Sequence, residues 1–190
     1  MEGVLVVSSK QAGLEQLTEL ARQAGWRETV CARSSKQARD MLLCRHFALA
    51  VVNAPLADDS GLSLAERLLR DSPTQVLLIV KPGAEEFDLQ RLMDQGALIV
   101  EKPVSQQILL QSLRAMYSSR QRFVSLQQEN LRLQEKIDEM KLIDRAKCAL
   151  IQYLNMTETQ AHHYLEKQAM DLRLSKRQVA QSIIGTYEVQ

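Results

Sequence analysis

The sequence predicts an α/β domain followed by an all-α tail, and three observations predict it. Short apolar runs alternate with amphipathic stretches up to about residue 103. From Val104 to Ile184 there is then neither proline nor glycine, so the usual helix breakers are missing over a stretch far longer than a normal globular helix. Within that half, apolar residues return at steps of three and four, the period of a helix that needs a partner.

In the first half, the strand candidates are 4–7, 29–32, 49–53, 76–80 and 97–100, and helical patterns occupy 11–24, 35–43, 62–69 and 85–95. Five strands that alternate with helices imply a parallel sheet covered on both faces. The runs Val-Leu-Val-Val and Leu-Ala-Val-Val are continuous rather than alternating, as doubly buried strands should be.

In the second half, Ser105 is the expected N-cap of a helix that reaches roughly Leu154, about 50 residues or ~75 Å at 1.5 Å per residue. Phe123, Leu126, Asn130, Leu133, Ile137 and Met140 step by 3, 4, 3, 4 and 3, a heptad seam with Asn130 at an a position. A lone buried Asn at a favours a parallel, in-register dimer, and the spacing is read that way. The alternative is a single helix packed on its own domain with Asn130 exposed. Lys136 and Lys141 would face one another across a parallel pair, a mildly repulsive feature. Thr157 with Gln160, and Ser175 with Gln178, match the capping box and start two further helices. The expected division is 1–118 for the α/β domain, 119–142 for the coiled coil and 143–190 for a three-helix unit.

Composition narrows the function classes. The chain has 190 residues and a formal net charge of +1, so any nucleic-acid surface must be local. Cys31, Cys44 and Cys148 lack metal-ligand spacing and fit a reducing cytoplasm. No segment reads as a signal peptide or membrane span, so a cytoplasmic, soluble protein is expected. No nucleophile with a paired base and no glycine-rich phosphate loop is apparent, so neither an enzyme nor a cofactor is expected.

At the candidate ligand edge of the sheet, the sequence reads Val-Val-Ser8-Ser9 after the first strand. Asn53 ends the third, with Gly61 eight residues on, Val80 ends the fourth, and Lys102-Pro103 follows the fifth. This first half resembles a two-component receiver domain, which implies a flavodoxin-like sheet of order 2-1-3-4-5. In that family an acidic pair holds Mg²⁺, an Asp takes the phosphoryl group, and a Ser or Thr and a Lys-Pro complete the site. Here Ser8 and Ser9 replace the acidic pair, Asn53 takes the acceptor position and Val80 replaces the hydroxyl residue. An amide is not a carboxylate nucleophile, and two serines supply no charge to hold Mg²⁺. The expectation is a pseudo-receiver that is not phosphorylated, with Lys102 retained as a structural lysine. Asp58 and Asp59 read as solvated turn residues.

The tail carries Ile143-Asp-Arg-Ala-Lys147, Met156-Thr-Glu-Thr-Gln-Ala161, Ala169-Met-Asp171 and Val179-Ala180. Over about 137–187 it resembles the ANTAR family of transcription antitermination regulators. The resemblance implies binding to paired hairpins in leader RNA and a homodimer through the coiled coil. Cys148 stands where the family usually has Gly, His162 where an aromatic is common, and Arg173-Leu-Ser-Lys176 replaces an Asn-Arg-Lys-like turn. The RNA-binding candidates are Arg145, Lys147, His162, Arg173, Ser175, Lys176 and Arg177. Basic side chains at helix ends engage phosphates, and Arg planes or His162 stack on unpaired loop bases. Tyr153 and Tyr164 read as packing residues. With phosphorylation lost, control would fall to a partner protein, a ligand or protein concentration. Two rival readings stand beside this one: a DNA-binding response regulator whose last helix starts with Ser175, Lys176, Arg177 and Gln178, and a dimeric adaptor that binds no nucleic acid.

Overall fold

The structure is a computed structural model that describes residues 3–187. The outermost residues of the expected domains 1–118 and 143–190 lie outside the described residues. Five parallel strands are β1 (Gly3–Ser8), β2 (Glu28–Ala32), β3 (Leu49–Asn53), β4 (Gln75–Val80) and β5 (Leu98–Glu101), in sheet order β2-β1-β3-β4-β5. Helices α1 (Gln11–Gln23), α2 (Ser35–Cys44), α3 (Leu62–Asp71) and α4 (Glu86–Asp94) connect them. Then come α5 (Gln106–Leu154), α6 (Glu158–Leu172) and α7 (Lys176–Tyr187). Two compact units result, 1–123 and 124–190, with α5 contributing to both.

The α/β unit has a core on each face of the sheet. Val4, Val6, Leu49, Val51, Leu77 and Ile79 meet Leu14, Leu17 and Leu20 of α1 and Leu109, Leu113 and Met116 of α5. Leu5, Val7, Val52, Val76, Leu78 and Val80 meet Ala38 of α2, Leu64 and Leu68 of α3 and Leu92 of α4. Alternate residues of one strand therefore serve opposite cores, which explains the unbroken apolar runs. Trp26 is buried. Its indole N–H donates to the Leu113 carbonyl at 3.3 Å, and its ring meets Tyr117 edge-on with centroids 5.2 Å apart. The start of α5 is thereby fixed as the last helix of this unit.

The strand boundaries follow the apolar runs except at β5. Its expected start, Ala97, closes the preceding turn instead. Gly96 has φ 98°, and the Ala97 N–H donates back to Leu92 O at 2.9 Å. Ser105 caps α5 by accepting from the Ile108 N–H at 3.3 Å.

In the second unit, Ala146, Ala149 and Leu150 of α5 pack with Ala161 and Leu165 of α6 and Val179, Ala180 and Ile183 of α7. Alanine at four of these contacts lets helix backbones approach closely, while Leu150 and Leu165 each bury a side chain worth about 2 kcal/mol. Both expected capping boxes form. Thr157 Oγ1 accepts from Gln160 N at 3.3 Å while Gln160 Oε1 accepts from Thr157 N at 2.9 Å, and Ser175 and Gln178 repeat the exchange at 3.2 and 3.0 Å. The turns between these helices place Asn155 (φ 50°) and Arg173 (φ 53°) in the left-handed region. Asn adopts that conformation readily, whereas Arg does so at some cost.

Candidate functional site

Two sets of residues were singled out, and each sits where its unit brings several chain segments together. In the α/β unit, the carboxyl ends of β1, β3, β4 and β5 gather Ser8, Asn53, Val80 and Lys102. Ser8 and Asn53 are register partners, and the Asn53 amide donates to Ser8 Oγ at 3.1 Å. Asn53 Oδ1 is buried and makes no hydrogen bond. Lys102 N–H donates to Val80 O at 2.9 Å, and its ammonium donates to the Ala54 carbonyl at 2.5 Å. Burial, with Lys81 and Lys10 nearby, holds the Lys102 ammonium below the ordinary lysine range. Ser9 is exposed and donates weakly to Pro55 O at 3.4 Å.

Asp58 and Asp59 are turn residues, but they are bonded rather than merely solvated. Asp58 accepts from the backbone N–H of Ser35 at 2.8 Å and of Lys36 at 2.9 Å, which cap the start of α2. These N–H bonds hold its carboxyl below the usual range. Asp59 accepts from Ser35 Oγ, Gly61 N and the Ser63 hydroxyl. Burial opposes ionisation of Asp59, and the hydrogen bonds outweigh it, so its pKa is also lowered.

In the helical unit, the structure places three candidates along one line. Glu158, His162 and Glu166 lie four residues apart and so share one stripe of α6. Lys147 of α5 reaches Glu158 at 3.3 Å and Asp144 at 2.8 Å. Its bond to Asp144, then that to Glu158, keeps its pKa above the ordinary value against the effect of burial. Lys176 at the start of α7 reaches Glu166 at 2.8 Å, and His162 Nε2 lies 3.4 Å from the same carboxylate. Lys176 in turn holds the Glu166 carboxyl low. The result is an alternating row, Lys147–Glu158–His162–Glu166–Lys176, across three helices.

The remaining candidates fall elsewhere. Arg145 is exposed on α5, but two residues from Lys147 it turns to a different side of that helix. Arg173 and Arg177 are exposed at the α6–α7 turn. The Ser175 hydroxyl is engaged as the α7 cap. Tyr153 is half exposed and stacks on Tyr187 with centroids 5.5 Å apart, so its role is only partly packing. The carboxylates of the row escaped the sequence reading. The four-residue spacing of Glu158, His162 and Glu166 was a usable signal, but the contact of Lys147 with Glu158 needs the tertiary fold.

The seam residues Phe123, Leu126, Leu133, Ile137 and Met140 are all at least half exposed on α5. Asn130 is exposed among them. Among the described residues, no helix is long and apolar enough to cross a membrane.

The fold of the α/β unit is that of a receiver domain, and a compact three-helix unit follows it. Residues 131–184, within the C-terminal unit, match the sequence profile of the ANTAR domain family. Over 184 residues the chain is 22% identical to the transcriptional regulatory protein PdtaR of Mycobacterium tuberculosis, covering 96% of this chain and 89% of that protein. The α/β unit shares its fold with the CheY-like receiver domain protein of Methanospirillum hungatei (TM-score 0.56, 19% identity, 64% of this chain and 98% of that one). It is similarly close to the receiver domain of a putative Luxo repressor protein from Vibrio parahaemolyticus (TM-score 0.58, 17% identity, 66% and 96%).

Proposed function

We propose that the chain is a cytoplasmic transcription antiterminator that binds hairpin leader RNA as a coiled-coil dimer, without phosphorylation of its receiver-like unit. The observation that carries this reading is the meeting of Lys147, His162 and Lys176 on one side of an ANTAR domain. Lysines on such a row engage RNA phosphates, and the imidazole between them stacks on a loop base. Arg173 and Arg177 at the adjoining turn extend the contact, and Arg145 contacts RNA from the neighbouring side of α5. The ion pairs do not oppose this role, because phosphate replaces an exposed carboxylate partner at small net cost.

The receiver-like unit serves as a scaffold whose control comes from a partner protein, a ligand or dimer concentration. At Asn53 there is no carboxylate to form an acyl phosphate.

The test is a titration of the purified full chain against a two-hairpin leader RNA, beside a matched DNA duplex and a Lys147→Ala variant. RNA-selective binding that Lys147→Ala weakens about tenfold, with a salt dependence shallower by about one ion, is expected. Equal binding to the duplex favours the DNA-binding reading. Absence of RNA binding by a folded dimer favours the adaptor.

A further inference from the structure

We infer that copies of this chain associate head to tail through their receiver-like units, Phe87 of one copy entering a basic-rimmed groove between α2 and α3 of the next. The knob stands at the start of α4. Phe87 is 78% exposed there, with Glu85, Glu86 and Asp88 flanking it. Acidic residues suit a helix N-terminus on their own account, but a phenyl ring left in water among them gains nothing from the helix dipole. Among the described residues the three carboxylates have no ion-pair partner, and Arg91 of the same helix pairs with Glu66 instead, at 2.9 Å.

The hole lies on the same face of the sheet. Leu42, Leu64 and Leu68 line a cavity of about 190 Å³, with Leu43, 80% exposed, at its lip. An apolar cavity of about 150 Å³ takes up benzene, so a phenyl side chain fits. The hydroxyls in the lining are already satisfied, since Thr74 Oγ1 donates to Phe47 O at 2.8 Å and Ser72 Oγ to Leu68 O at 2.7 Å. Neither requires a polar guest. Arg39, Arg67 and His46 complete the rim. Among the described residues Asp71 is the one carboxylate there, and Arg67 at 3.4 Å and Arg70 at 3.0 Å already hold it. Arg39 has no carboxylate partner among the described residues. The acidic collar of the knob therefore meets a rim with positive charge to spare.

Topology rules out the same chain as host. Phe87 follows the carboxyl end of β4, whereas Ser72 and Thr74 precede its first residue, Gln75. The six residues of β4 hold these two edges about 20 Å apart. The knob has to find a second copy, and the pair so formed still has one knob and one hole open. Such a heterologous contact grows into chains or rings rather than closing in a pair. It makes assembly depend on protein concentration, and it does not rest on the RNA-binding reading.

One aromatic anchor inside a small charged rim is a weak contact, with a Kd on the order of 10⁻⁴ M. Sedimentation velocity of the full chain from about 10 to about 500 µM brackets that value. The weight-average mass should rise from its dilute value, which itself reads the α5 seam separately, as one chain or two. Phe87→Ser and Leu43→Glu should each weaken the association about tenfold or more. Both sites are exposed, so each variant should keep the parent's Tm. Mixing the two variants should restore association, because one keeps the hole and the other the knob. Sodium chloride at about 0.5 M should weaken it several-fold. A mass that stays at its dilute value throughout overturns the proposal and leaves the groove to a foreign acidic segment. So does association that both variants retain, association indifferent to salt, or a mixture that stays as small as its components.

Discussion

At Gly13, in the first turn of α1, an added methyl group would stand 2.6 Å from Ser8 Oγ and 3.0 Å from Asn53 Nδ2. Helix propensity alone would favour alanine there by about 1 kcal/mol. The clash outweighs it, because the Ser8 hydroxyl is buried and bonded to Asn53 and has nowhere to retreat. Gly13→Ala should therefore destabilise the chain by about 1–3 kcal/mol in urea unfolding. In a Ser8→Ala background the cost should fall below about 1 kcal/mol, and an equal cost in both would refute the contact. At Glu166 the prediction has the opposite sign. Glu166→Gln frees Lys176 and removes a negative charge from the row, so affinity for hairpin RNA should rise about threefold. Unchanged or weaker binding would mean that Glu166 orients Lys176 rather than competes with phosphate.

Elements show how far the sequence can be read. The two capping boxes were legible because every partner lies within three residues, and the structure keeps both, at Thr157 and Ser175. The strands were legible because continuous apolar runs have few other places to go in a chain of this pattern. The Lys147 to Glu158 contact and the closure by Asp58 and Asp59 over Ser35 were not legible, since they join residues 11 to 24 positions apart through the packing of other elements. The latter contact has a pH signature. Both carboxyls lie below their ordinary value of 3.8 in the folded chain, so their stabilisation is present above that value and lost as pH falls through the lowered one. Asp59→Asn should lower Tm at pH 7, and the gap from the unsubstituted chain should close as pH falls below 3.8 through the lowered value. A gap that stays constant with pH would show that Asp59 acts through its shape alone.

For the whole molecule, the open question is what covers the seam on α5. Leu126 and Met140 are each 64% exposed, and Phe123, Leu133 and Ile137 about half, an apolar stripe interrupted at Asn130 that a lone helix would leave in water. A second copy in parallel register would bury that stripe and set Asn130 against its twin, where an amide pair bonds and a shifted register leaves both unsatisfied. On the function proposed above, such a dimer would also give a chain of net charge +1 useful affinity for RNA. One ANTAR domain offers a short basic row interrupted by carboxylates. Two of them on one transcript make the second contact intramolecular, which raises avidity about a hundredfold without any new bond. Leu126→Glu with Leu133→Glu should accordingly give a monomer in sedimentation equilibrium. That monomer should bind a single hairpin as the parent does and lose about a hundredfold on the paired-hairpin leader. A parent chain that sediments as a monomer would remove the seam from the account. Retained paired-hairpin affinity in a proven monomer would place both RNA contacts within one chain, and the row along α6 would then have to be longer than Lys147 to Lys176.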